Sequence, residues 1–287
     1  MAIQLQNDHP QTKPLACTGN AWLLATASWR VSWVSLMPNL DYHRYLRLDQ
    51  ILSLQTPVGR DFGGSETLFI AVHQACELNL RAIIIHVRLL IEQLNNGESL
   101  AALETVKLVN ALILGMTAQT RVLNQLKTAD FLEFRPLLGE ASCAQSIQLK
   151  VAQALLSGAS SATLNSIEQA AARAGLDVGV IPEESQSVAQ ALEVMRERLA
   201  IGSWATFLAE SGTPSESRLA VRTLLTALLD TDMLWCEWKT AHFNLVLRHL
   251  GSEFMGTGGK DGVWLLRSLS TRLFPALWDA PSPVTSS

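Results

Sequence analysis

Two long apolar periods set end to end constrain this chain more than any other feature. From Ser65 to about Gln93, the side chains of Phe69, His73, Glu77 and Leu80 recur at the spacing that shares one helix face. Asn95-Asn96-Gly97 then closes the run with a residue tolerant of positive φ. A second periodic run follows at once, from Glu98 to roughly Leu126. Two helices joined by so short a polar turn pack antiparallel. Strand patterns are scarce elsewhere and no internal repeat is evident, so the predicted fold class is all-α, a helical bundle.

The remaining elements follow from breakers. A helix from Tyr45 to Gln55 is expected to end at Pro57, and the glycine-rich loop 58–66 leads to Ser65 as an N-cap. Pro136 and Gly139 interrupt the pattern between Lys127 and Gln148. Alanine-rich helices are expected at Ala152–Leu156 and Thr163–Ala174, then a break over 175–186 with Pro182. Ser187–Ala209 and Ser217–Leu229 read as helical and lead into Trp235–Leu250, which stops at Gly251.

The 287 residues, 48% hydrophobic, suit one large core better than several small ones. Residues 1–20 are polar and read as disordered up to Trp22. Ala21–Met37 is apolar, but Arg30 and several serines and tryptophans interrupt it and no basic segment stands before it. It reads as a packed arm or first helix, or as a surface for a sister subunit, rather than as a membrane span. The domain reading is an arm at 1–38 and a single helical domain at 39–287. A net charge of −4 offers no basic footprint for nucleic acid or an anionic membrane. Cys17, Cys76, Cys143 and Cys236 lack C-x-x-C spacing, which argues against a cysteine zinc site or a covalent C-x-x-C-H haem attachment and fits a reducing cytoplasm.

The chemistry concentrates near the C-terminus. In WKTAHFNLVLRHLGSEFMGTGGKDG, Trp238 to Gly262, the residues Trp238, His242, Leu245, Val246 and His249 share one helix face, so an imidazole stands in an apolar setting. Gly256-Thr257-Gly258-Gly259 follows, a backbone able to press close to a ligand and offer it N–H groups. Taken singly, His242 reads as a buried histidine satisfied by a carbonyl and the glycines as a turn. The wording W-x-x-x-H-x-x-x-V-x-R-x-x-G followed by GTGG resembles the haem-binding segment of the tryptophan 2,3-dioxygenase family. Three more stretches resemble the same family in the same order: Tyr42–Pro57, Leu68–Leu78 (L-F-I-x-x-H-Q-x-x-E-L) and Phe134–Ser146 (F-R-x-x-L-G-x-x-S-x-x-Q-S).

That resemblance implies a bundle with a haem pocket between its helices, haem b as cofactor, and His242 as axial iron ligand, neutral imidazole being an ordinary axial donor. It places His73 opposite, facing an indole N–H; the plain alternative pairs His73 with Glu77 one turn along. It assigns Arg135 to the substrate carboxylate, which a guanidinium fork matches bidentately. Thr257 would bond the amino-acid end, Ser142 would lie near haem and substrate, and Phe69 would wall the aromatic ring. Trp238 and Trp235 either touch haem or pack in the core. Tyr42 and Tyr45 belong to a helix that in this family reaches a neighbouring subunit's site, implying a homo-oligomer, dimer or tetramer. His43, His86 and His249 read as surface or core residues; His249 is two turns, about 10.5 Å of rise, from His242, too far to share one iron.

Several positions depart from the family wording. Asn79 stands where an aromatic is usual, Phe131 replaces a tyrosine, Ser142-Cys143-Ala144-Gln145-Ser146 replaces S-G-F-Q-S, and Lys260-Asp261 replaces two serines. The expected activity is a cytoplasmic haem-dependent dioxygenase that uses dioxygen to cleave the indole C2–C3 bond of L-tryptophan or a close derivative, giving an N-formylkynurenine-type product. Two alternatives stand beside it: a haem-dependent monooxygenase or hydroxylase of an aromatic amino acid or indole derivative in natural-product biosynthesis, and a non-catalytic haem- or indole-binding scaffold.

Overall fold

The computed structural model describes residues 41–139, 141–177, 187–251 and 262–279. By compactness the chain divides into two units, 1–54 and 55–287. The described part of the first unit holds two short helices, α1 (Tyr42–Leu46) and α2 (Leu48–Ile51). The single helix expected from Tyr45 to Gln55 is therefore broken. Arg47 adopts a left-handed φ of 52°, and its N–H closes on the α1 carbonyls of His43 and Arg44. Tyr42 and Tyr45 are 68% and 71% exposed.

The second unit is helical throughout its described residues, with no strand: α3 (Ser65–Asn96), α4 (Ser99–Val122), α5 (Thr128–Phe134), α6 (Ile147–Ser157), α7 (Ser161–Ala174), α8 (Val188–Arg198), α9 (Trp204–Ala209), α10 (Glu216–Leu250), α11 (Gly262–Leu269) and α12 (Pro275–Trp278). The α3–α4 hairpin forms as the periodicity predicts. Gly97, at φ 78°, donates to Leu94 while Glu98 donates to Gln93, a reciprocal closure that only a left-handed residue permits. Ser65 is not the N-cap expected of it. Gly64 takes that position, Asp61 accepts from the N–H groups of Glu66 and Thr67, and the Ser65 hydroxyl instead donates to Asp130. The long α10 packs chiefly on α4, and α3 packs on α4, α6 and α8. Ile83, Ile84, Val87, Ile113, Met116, Leu224, Leu225 and Leu228 meet in the core, each with 1% exposure or less. Burying one such side chain is worth about 1.5–3 kcal/mol.

The helix expected over Ser187–Ala209 is split at Ala200, whose φ of 51° lets Ile201 donate back to Arg196 and ends α8. The segment 217–250, by contrast, continues unbroken as α10, 35 residues long. A polar rung links α10 to α4: Asn110 donates to the Ala227 carbonyl at 3.0 Å and accepts from the Thr231 hydroxyl at 2.7 Å. By length and composition alone, α3 and the run 99–125 are apolar enough to cross a membrane. Part of that apolar surface is core; Leu78, Ile85, Leu108 and Leu114 lie exposed.

Asp232 fastens the C-terminal segment. It is 1% exposed and accepts from the N–H of Leu273 at 2.9 Å, the N–H of Phe274 at 3.2 Å and the Trp278 indole at 2.9 Å. Asp232→Ala strands the buried Leu273 and Phe274 N–H groups and frees the exposed Trp278 indole, and the expected loss is roughly 3 kcal/mol, lowering the melting temperature by about 6–10 °C. A calorimetric scan showing no shift would mean that water replaces the carboxylate.

Candidate active site

The candidate residues come from three elements that the bundle brings together: the first turns of α3, the connection 128–146, and the C-terminal third of α10. The start of α3 is held in place by Glu66, 1% exposed, whose carboxylate accepts from the N–H groups of Val58 and Gly59 at 2.7 and 2.9 Å. Gly59 is closely approached: a β-carbon there would lie 2.9 Å from the Leu137 Cδ1 methyl and 3.2 Å from the Glu66 carboxylate, so a side chain would have to displace Leu137. One turn further along α3, Phe69 meets Phe131 and Phe134 with ring centroids 5.9 and 5.5 Å apart, and Phe131 also meets Phe134 at 5.4 Å. These rings form an aromatic wall. Its far end is anchored by the buried His249, whose Nδ1 lies 3.1 Å from the Thr128 hydroxyl.

His73 lies against Phe69, centroids 4.2 Å apart. Its Nδ1 is 2.7 Å from the Phe69 carbonyl, which can only accept, so Nδ1 carries the proton and Nε2 is left as an acceptor. Burial holds the imidazole below the ordinary histidine value, outweighing that hydrogen bond and the Glu77 charge. The direct His73–Glu77 pairing is not formed. Glu77 is engaged from the other side by Gln148, which donates to its carbonyl at 2.9 Å and its carboxylate at 3.0 Å.

His242 projects from α10. Burial, with a smaller contribution from the charge His73 would carry, pushes its value down to about 4. It is therefore neutral at ordinary pH and close enough to His73 for their charges to interact. Its Nε2 lies 3.2 Å from the Cys143 thiol, which burial pushes up to about 11. Yet His242 keeps part of its surface open to water and Cys143 is exposed. Trp238 stands beside His242, centroids 6.3 Å apart, and donates its indole N–H to the Thr120 hydroxyl at 3.2 Å. Trp235 is core, 2% exposed.

Ser142 uses its hydroxyl locally, accepting from Ala144 N–H, while Gln145 reaches back to the Ser142 N–H. This capping box sets the 3-10 turn Cys143–Gln145. Arg135 begins the 3-10 turn Arg135–Leu138, directly after the buried Phe134. Thr257 and the GTGG segment lie outside the described residues. Of the remaining candidates, Phe69, His73, Phe131, Trp238 and His242 come together. The contact of Cys143 with His242 was not foreseen. Its only signal was the departure at residues 142–146, since a pair so distant in sequence cannot be read from spacing.

A family model described as tryptophan 2,3-dioxygenase matches residues 33–199. A tryptophan 2,3-dioxygenase of Anaeromyxobacter dehalogenans is 30% identical over 266 residues, covering 83% of this chain and 94% of that protein. The chain belongs to the tryptophan 2,3-dioxygenase family. Tryptophan 2,3-dioxygenases of Pseudomonas aeruginosa (28% identical, 88% of this chain, 92% of theirs) and Xanthomonas euvesicatoria (29%, 85% and 88%) are similar over comparable lengths. Membership of the tryptophan 2,3-dioxygenase family makes the chain a haem-dependent oxygenase, and the described residues, with helices and no strand, are consistent with that fold.

The histidines make stability pH-dependent. His73, His242 and His249 all have folded-state values depressed first by burial. As pH falls below about 6.5 the unfolded chain takes up protons that the folded chain refuses, so stability falls until the folded groups titrate, near 4 for His242. The urea midpoint of the cofactor-free chain is expected to be lower at about pH 5 than at about pH 7.5, with His242→Gln reducing the slope.

Proposed function

We propose that the chain cleaves the indole C2–C3 bond of L-tryptophan or a close derivative with dioxygen, giving an N-formylkynurenine-type product. The observation that carries this reading is two neighbouring neutral histidines beside an aromatic wall: His242, whose Nε2 meets the Cys143 sulfur, and His73, whose acceptor nitrogen is free of its own helix.

The residues fit haem b. Among the described residues no cluster of three or more His, Cys, Asp or Glu could hold a bare metal ion, whereas one neutral imidazole suffices when a macrocycle brings the other donors. His242 would hold the iron and Trp238 would pack beside it. When bound, the haem supplies a ferrous centre able to activate dioxygen. His73 Nε2 accepts the indole N–H, and its depressed value keeps it neutral for that task. Phe69 and Phe131 flank the ring, and Arg135, with Thr257, fixes the amino-acid end so that the reacting carbon is oriented. Ser142 acts through the turn that it caps. The aromatic wall excludes water around the ring.

A monooxygenase acting on another aromatic amino acid or indole derivative is the second reading. It is favoured by Asn79, which donates to Gln119 at 2.9 Å where the family has an aromatic, and by Phe131, which lacks a hydroxyl. The test is aerobic turnover of haem-loaded protein with L-tryptophan, read by product mass. Two added oxygen atoms support cleavage, one supports hydroxylation, and tight binding without product points to a scaffold. Four cysteines without C-x-x-C spacing suit a cytoplasmic site, and the net charge of −4 offers no basic footprint for nucleic acid or an anionic membrane. The exposed Tyr42, Tyr45, Leu78 and Ile85 support a homo-oligomer, dimer or tetramer, which light scattering would count.

A further inference from the structure

We infer that Thr120 is a positioning residue for the iron-holding side of the site: its hydroxyl fixes the indole ring of Trp238, and that ring sets the orientation of His242. This rests on the reading that His242 holds haem. Thr120 lies near the end of α4 and is 5% exposed. Its hydroxyl donates to the Met116 carbonyl at 2.9 Å, an atom that can only accept, so the oxygen lone pairs face away from its own helix. One of them accepts the Trp238 indole N–H at 3.2 Å. The Cys76 sulfur of α3 stands 3.9 Å from the same oxygen, so side chains of three helices meet at one hydroxyl.

Packing by itself leaves the indole two ways to lie. Trp235 stands on one side of it, centroids 5.5 Å apart, and His242 on α10 stands at 6.3 Å with the two rings inclined by 31°. A flat ring between such neighbours can turn over about χ2 and keep most of its contacts, but turning over takes the N–H away from a fixed acceptor. Thr120 therefore selects which edge of Trp238 faces His242, one helical turn further along α10. An imidazole already held near its binding orientation loses less freedom when it takes up the cofactor.

A general need to tie α10 to α4 does not account for this bond. The Asn110 rung already makes that link, about 15 Å back along α4. The Thr120 rung is the one that ends on the ring beside His242.

The test uses the full chain with three substitutions. Thr120→Val keeps the branched shape and removes the acceptor, Thr120→Ser keeps the acceptor, and Trp238→Phe removes the donor. In haem-free protein the Trp238 indole N–H resonance, assigned by its loss in Trp238→Phe, should move upfield in Thr120→Val and stay in place in Thr120→Ser. Haem titration should show binding about 10-fold weaker in Thr120→Val, the low end of what losing an outer partner of a metal ligand costs, and near wild type in Thr120→Ser. In a Trp238→Phe background Thr120→Val should add no further loss, since donor and acceptor act as one unit. Unchanged haem affinity in Thr120→Val despite a shifted resonance would make the bond a structural link only and overturn the proposal, as would a loss of the same size with Trp238 already replaced. Failure of the wild type to take up haem refutes the cofactor reading and the proposal with it. Should Thr120→Val fold poorly, hydrogen exchange at the Trp238 indole of the wild type replaces it. Because coupling is reciprocal, haem in its diamagnetic ferrous carbon monoxide form should slow that exchange about 10-fold, and equal rates with and without haem refute the coupling.

Discussion

Replacing His242 by alanine is expected to strip the protein of haem while leaving the bundle folded. Losing an outer hydrogen-bond partner of a metal ligand typically costs 10–100-fold in affinity, so deleting the ligand should cost about 100-fold or more. The fold should survive because His242 is only half-buried and lies outside the hydrophobic core clusters, and alanine is the best helix former for its place in α10. Haem titration followed by absorbance checks the first point, a melting curve the second, and added imidazole should restore pigment to the emptied site. Undiminished haem uptake by a folded His242→Ala protein would remove the basis of the proposed activity.

Arg135→Leu is expected to raise the KM for L-tryptophan about 100-fold with a smaller change in kcat, since two charge-assisted hydrogen bonds to a carboxylate are together worth roughly 3 kcal/mol. Arg135 sits where such a fork can be held still. Phe134 before it is buried against Phe69 and Phe131, and Pro136 after it stiffens the turn. Arg135→Lys should recover little, because a single ammonium cannot reproduce the planar fork. The discriminating measurement is binding of an indole lacking the carboxylate: unchanged affinity in Arg135→Leu assigns the loss to carboxylate recognition, whereas an equal loss would assign Arg135 to packing.

How far the site was legible depends on the range of each interaction. His73 and Phe69, four residues apart on one helix, were placed on a common face by periodicity, and the structure adds the hydrogen bond that decides the tautomer. Gly97 was readable as a helix end because positive φ is a local property. Arg47 and Ala200 were not: neither residue type favours a left-handed conformation, and the helix breaks there arise from how the flanking segments must turn. Ser65 carried a sound N-cap signal, but Asp61 supplied the local hydrogen bonds and Asp130 claimed the hydroxyl.

By itself the sequence determined the helical class, the α3–α4 hairpin and the family, because backbone periodicity, turn chemistry and motif wording are written within short windows. Only the tertiary structure decided which side chains meet at the candidate site. Phe131 reaches Phe69 and His249, Trp238 bonds Thr120, Asp232 gathers the C-terminal segment, and the Cys143 sulfur meets the His242 nitrogen. Those meetings are fixed by the packing of α10 on α4 and of α3 on α4 and α6, where the fit of side chains across helices sets the register.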